Sequence, residues 1–220
     1  FSSAFRDLPI TSALGFSGSF DRAFSRADLG EAPRADFAGT LIAGDIGFGD
    51  ENPEPWVFQV NQQGGSLFLD GGPGNAMSAV ISSDKTFSVA LKEPLPIVAA
   101  ARGVLAEGSI EADLAINKLD MEGMESILVI PFFNITSGTA KGNLLISGRL
   151  NDPDIYGELL GRDLLASVPV IPETVGPFVA QLSFKGKSLH INQARMPAGG
   201  AAIDGIAEFT LDHWLPRSFD

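Results

Sequence analysis

The stretch Gly142-Asn143-Leu144-Leu145-Ile146-Ser147-Gly148-Arg149-Leu150-Asn151-Asp152-Pro153-Asp154-Ile155-Tyr156-Gly157 decides the fold. It reads as strand, turn, strand. Leu144, Ile146 and Leu150 share one phase of a period-two pattern, with Gly148 between them, and Leu145, Ser147 and Arg149 share the other. A strand sends alternate side chains to opposite faces, so the segment has one apolar face and one mixed face. Asn151-Asp152-Pro153-Asp154 supplies turn chemistry, because short polar side chains bond back to the backbone and proline fixes φ. Ile155, Gly157 and Leu159 begin the return strand.

The same pattern recurs outward in both directions. Leu14, Phe16, Gly18 and Phe20 alternate with Ser17 and Ser19, and Phe37, Gly39, Leu41 and Ala43 form a second half-buried strand. Gly44–Pro55 is turn-like. Trp56–Asn61 and Ser66–Asp70 flank Gly64-Gly65 as a hairpin. Ala79–Ile81 and Phe87–Leu91 are further strands. Leu95–Leu105 is the one helix expected, on the strength of Ala99-Ala100-Ala101, with Pro94 and Pro96 limiting its length. Ile110, Ala112, Leu114 and Ile116 then alternate cleanly with Glu111, Asp113, Ala115 and Asn117. Glu125–Phe133 is an apolar run broken by Pro131, and Arg162–Val168 fits a strand or one helical turn. Phe178, Ala180, Leu182 and Phe184, then Leu189 and Ile191, then Ile203, Gly205, Ala207, Phe209 and Leu211 complete the series.

Trp56–Asp70 and Phe178–Asn192 align without gaps, with Val57/Val179, Gln59/Gln181, Gly64/Gly186, Ser66/Ser188 and Leu67/Leu189 identical. Residues 1–220 are therefore expected to form one domain of degenerate repeats, divided as 1–91, 92–160 and 161–220. The chain opens at Phe1 with no signal peptide and reads as a piece of a longer protein.

Composition narrows the function. Hydrophobic residues are 45% of 220, enough for a sizeable buried surface, and 25 Gly with 14 Pro favour turns over long helices. Sixteen Phe against one Tyr and two Trp supply apolar area without a polar handle. A net charge of −12 opposes nucleic acid and anionic lipid heads as electrostatic partners. No cysteine is present, which removes disulfides, thiol catalysis and Cys-ligated zinc. No run approaches the roughly 18 apolar residues of a membrane helix.

Chemical motifs are not found. His190 falls in the polar phase of a strand and His213 sits beside Trp214, so both read as solvated or packing residues. Gly186-Lys187-Ser188 resembles the end of a phosphate loop, but the required upstream glycine is Gln181 and a strand follows instead of a helix. Asp45, Asp50, Glu51 and Glu54 lack the spacing of a calcium loop. Asn134-Ile135-Thr136 is a glycosylation sequon only on a eukaryotic secretory route. No enzyme, cofactor, catalytic residue or metal site is expected.

Strands with one apolar stripe and almost no helix need something over that stripe. A second sheet gives a sandwich, closure gives a barrel, and curling gives a trough filled by non-protein hydrocarbon. Apolar-phase glycines, Gly18, Gly39, Gly148, Gly157 and Gly205, fit strong bending or close backbone approach. Periodicity alone favours the packed sandwich over the trough.

The run Gly138–Pro153, with Gly157-Glu158-Leu159 beyond it, resembles the repeated unit of the TamB family of AsmA-like envelope proteins. Gly108–Ile116 is similar to the same strand in another copy, and Gly199-Gly200 and Asp212–Phe219 look like a recurring junction. The resemblance implies an all-β fold: a long, U-shaped antiparallel sheet, or β-taco, with an apolar interior groove and at most one or two short helices. It implies a periplasmic body in a Gram-negative bacterium, anchored in the inner membrane through another part of the chain. It implies transport of phospholipid between the membranes, or help in outer-membrane protein assembly and secretion beside an Omp85-type barrel. No catalytic residue is carried over. The expected groove residues, which would meet acyl chains, are Ile110, Leu114, Ile116, Leu144, Ile146, Phe178, Leu182, Phe184, Leu189, Ile191, Ile203, Phe209 and Leu211. Two alternatives stand beside the carrier: a chaperone presenting strand edges to nascent barrel strands, and a closed β-sandwich binding module with a filled core.

Overall fold

The computed structural model describes residues 14–21, 36–43, 55–124, 134–168, 171–198, 201–212 and 215–219. The strands are β1 (Leu14–Asp21), β2 (Asp36–Ala43), β3 (Trp56–Gln63), β4 (Ser66–Gly71), β5 (Met77–Ile81), β6 (Thr86–Leu91), β7 (Ile97–Ala106), β8 (Ser109–Asp120), β9 (Asn134–Arg149), β10 (Asp152–Val168), β11 (Ile171–Gly186), β12 (Ser188–Ala198), β13 (Ala201–Asp212) and β14 (Leu215–Phe219). They form one 14-stranded sheet in strict chain order, each strand paired antiparallel with its sequence neighbours. The sheet is open and curved, the arrangement that the resemblance implies and not the packed sandwich that periodicity favours. Among the described residues, helix is limited to single 3-10 turns at Pro73–Asn75 and Glu122–Met124.

Alternation fixes the faces. In β3, Trp56, Phe58 and Val60 are buried while Val57, Gln59 and Asn61 are exposed. Tight turns join β3 to β4, β7 to β8, β9 to β10 and β11 to β12, where Gln63 pairs with Ser66, Ala106 with Ser109, Arg149 with Asp152 and Lys185 with Ser188. Gly64 and Gly65 take φ of 58° and 81°, which only a residue without a β-carbon adopts at little cost. The β3–β4 and β11–β12 hairpins thus turn at the positions where their sequences align. The sheet runs unbroken past residue 91, and residue 160 lies inside β10.

Two expectations are corrected. Leu95–Leu105 is not a helix: β7 occupies Ile97–Ala106, and its Ala99, Ala100 and Ala101 pair with β6 on one side and β8 on the other. Helix propensity differs between residues by fractions of a kcal/mol, and pairing on both edges outweighs it. The return strand begins at Asp152, three residues earlier than turn chemistry indicates, leaving Leu150-Asn151 as the turn. Arg162–Val168 resolves as strand. The acidic loop 45–54, the run 125–133, Gly199-Gly200 and His213-Trp214 lie outside the described residues.

The long strands carry bulges. Register slips by one residue after Ile116 in β8, after Arg162 in β10 and after Ile191 in β12. A bulge bends its strand and sharpens the local twist. Because Ile116, Gly142, Leu159, Leu182 and Ile191 follow one another across the sheet, the bulges fall near one line and bend neighbouring strands together.

Candidate functional site: the apolar inner face

Cross-strand partners share a face, so the pairings assemble the inner face in rows. One row runs Ala101, Leu114, Leu144, Gly157, Phe184, Leu189. The next runs Ala99, Ile116, Gly142, Leu159, Leu182, Ile191. A third, towards the tight turns, runs Gly103, Ala112, Ile146, Ile155, Gly186. Every position in these rows is aliphatic, aromatic or glycine. Backbone donors and acceptors are spent within the ladder, so the face offers hydrocarbon alone.

The pairing brings the sequence-derived groove residues of β8, β9, β11 and β12 onto this one face. Ile116, Leu144, Ile146, Leu189 and Leu211 are buried, and Leu114, Phe178, Leu182, Phe184 and Ile191 are half-buried against the same cluster. Ile110 is half-buried beside the β7–β8 turn, opposite Gly148. The pairing places Ile203 opposite Met196 and Phe209 opposite Leu189.

Leu164 on this face is only 2% exposed, yet no large side chain is completely sealed among the described residues. A two-sheet core seals such side chains completely; a single curled sheet lets them shelter one another and leaves them open along the top. Glycines allow the curl. A β-carbon on Gly157, at φ +126°, would stand 2.2 Å from the Asn143 carbonyl oxygen. β9 and β10 approach more closely there than any side-chain-bearing residue permits.

Sequence periodicity missed Ala99, Leu119, Met121, Ala140 and Leu164, all within the same cluster. Leu119 and Leu164 lie past bulges, where a fixed period of two points them to the wrong face. The signal was there: Ile116 to Leu119 and Gly161 to Leu164 are spaced by three, the mark of one inserted residue. At Leu164 the insertion includes Asp163 at φ 53°.

The outer face is mixed. A shallow depression of about 580 Å³ lies against Arg102, Asp113, Asn143, Leu145 and Tyr156. Another of about 760 Å³ lies against Asn117, Lys141, Glu158 and Gln181, where Gln181 Nε2 donates to Glu158 Oε2 at 3.3 Å. Ser183, His190 and Glu208 succeed one another across β11–β13. His190 Nδ1 stands 3.7 Å from Glu208 Oε2, beyond hydrogen-bond range, and Ser183 is only 5% exposed, so the row does not present a nucleophile to solvent. Among the described residues, no three acidic or histidine side chains gather as a metal site, and no helix is long and apolar enough to cross a membrane.

Neither a family model nor a curated protein nor a solved structure matches this chain.

Proposed function

We propose that the inner face of β7–β13 is a trough that carries lipid acyl chains. The observation that supports this is the unbroken apolar face with no second layer upon it among the described residues. Seven strands at about 4.8 Å each give a run of about 29 Å, long enough for an acyl chain, which spans one leaflet, or half, of the roughly 30 Å bilayer core. A peptide laid in the trough would bring backbone amides that this face cannot bond, at a cost of a few kcal/mol each. An acyl chain has no such groups, which favours lipid over a protein client.

On this reading the chain is a segment of a TamB-like protein of the Gram-negative periplasm. Phospholipid would pass between inner and outer membranes with tails in the trough and headgroups in water, and an Omp85-type barrel would be the outer-membrane partner. The supporting residues are the strand–turn–strand unit Gly138–Leu159 and its bent, one-sided sheet.

Mass spectrometry of the purified chain tests the reading. Phospholipid or fatty acid is expected to survive purification and to crosslink through a photoreactive group at Leu182 but not at Val179 on the outer face. Equal crosslinking at both, or none at Leu182, would overturn it.

A further inference from the structure

The apolar face is not one surface from end to end. Most of the buried apolar residues described fall into two clusters. One spans β7–β13; the other holds Ala43, Trp56 and Phe58 of β2 and β3 together with Ala76 and Leu95. Leu91 packs against both, while β5 and β6 between them contain no buried residue.

Ala76 and Leu95 are not strand residues. They belong to the connections after β4 and after β6, and they are 2% and 4% exposed. Over β2–β4 the chain therefore roofs its own inner face; among the described residues, no such connection covers β7–β13. The roof is tied down by backbone bonds: Lys92 N–H donates to Ala76 O at 2.8 Å, Leu95 N–H to Lys92 O at 3.1 Å, and Asp120 N–H to Pro96 O at 2.7 Å. The two connections also touch, since a β-carbon on Gly74 would meet Pro94 Cδ at 3.1 Å. The strands alongside are short, five residues in β5 and six in β6, against 16 or 17 in β9–β11.

We infer that Leu95 is the end wall of the trough, so that an acyl chain lying over β7–β13 stops there and does not continue over β2–β4. The inference rests on the carrier reading and sharpens it: in this segment the trough is blind at one end. A chain must enter over a rim or from the β13 side, and Leu95 sets how far its methyl end reaches.

Tryptophan quenching by 9,10-dibromostearic acid tests this on the full 220-residue chain. Trp214→Phe leaves Trp56, inside the roofed cluster, as the sole tryptophan. A second protein, Trp56→Phe with Trp214→Phe and Phe184→Trp, places the reporter in the trough. The trough reporter is expected to lose most of its emission on titration, and Trp56 to keep its own. Adding Leu95→Ala to the Trp56 protein is expected to make Trp56 quenchable. Quenching of Trp56 with Leu95 intact, while the trough reporter also responds, overturns the end wall and leaves the carrier reading standing. Persistent protection of Trp56 in a folded Leu95→Ala protein also overturns the end wall. No quenching of the trough reporter overturns the carrier reading and the end wall with it. Should Leu95→Ala not fold, the two proteins that retain Leu95 decide the matter alone.

Discussion

Lys187 in the β11–β12 turn grips Asp152 at the start of β10. Its Nζ donates to the Asp152 carbonyl oxygen at 2.8 Å, to Asp152 Oδ1 at 2.5 Å and to the Pro153 carbonyl oxygen at 2.7 Å. One ammonium thereby ties two successive turns along the same rim of the sheet. Both side chains are about a third exposed, at 34% and 39%, so water screens part of the attraction. Lys187→Met is expected to destabilise the fold by about 1 kcal/mol, the charged hydrogen bonds being discounted for that exposure. Urea unfolding checks this, and a midpoint unchanged from the parent would refute the clamp.

Gly157 and Leu144 are partners across β9 and β10. Gly157→Ala combines a left-handed backbone with a β-carbon 2.2 Å from a carbonyl oxygen, and is expected to cost more than about 3 kcal/mol. Gly108→Ala, at φ +85° with nothing within 4 Å, carries the backbone strain alone, about 1 kcal/mol. The comparison separates close approach from conformation. Equal losses in chemical denaturation would show that strand proximity is not what demands glycine at 157.

Leu182→Glu puts a carboxylate in the middle of the apolar rows. Leu182 is half-buried, so the new charge reaches water and the sheet is expected to persist, with far-ultraviolet dichroism unchanged. Acyl-chain binding is expected to weaken roughly tenfold or more, because hydrocarbon would have to desolvate the charge. Ile203→Glu, opposite Met196 in the pairing, is expected to act alike. Val179→Glu, on the exposed face of the same strand, is the control and should bind normally. Undiminished fatty-acid binding by Leu182→Glu would remove the trough from consideration.

Asp84 closes the β5–β6 turn by accepting from the Thr86 hydroxyl at 2.7 Å and the Thr86 N–H at 3.0 Å. The Thr86 hydroxyl first, then its N–H, hold the Asp84 carboxyl below the usual carboxylate range. A carboxyl depressed in the folded state stabilises above its unfolded value, and the contribution is lost as pH falls through the lowered folded value. Thr86→Val should raise the Asp84 midpoint in a carbon-detected NMR titration. A midpoint that does not move would mean that the hydroxyl is not the main cause.

Strand, turn and face were legible in the sequence over most of the chain. Gly142–Gly157 shows why: alternation of Leu144 and Ile146 with Leu145 and Ser147 is imposed by the pleat, which is local. Leu114, Leu144, Leu182 and Leu189, picked out by that alternation, fall on one face for the same reason. The limits were local too. Ala99-Ala100-Ala101 favours helix in isolation, and only its two strand partners make it β7. Leu119 and Leu164 were lost where a single inserted residue reverses the phase.

By itself, the sequence determined that this chain is a succession of one-sided β-hairpins, because side-chain alternation and turn chemistry act within a few residues. Tertiary structure alone decided which part of the greasy side is covered. Leu95 reaches Trp56 and Phe58 in one cluster, and bulges in separate strands fall near one line. The first is packing across several intervening strands and the second is register carried from strand to strand, and neither leaves a period to read.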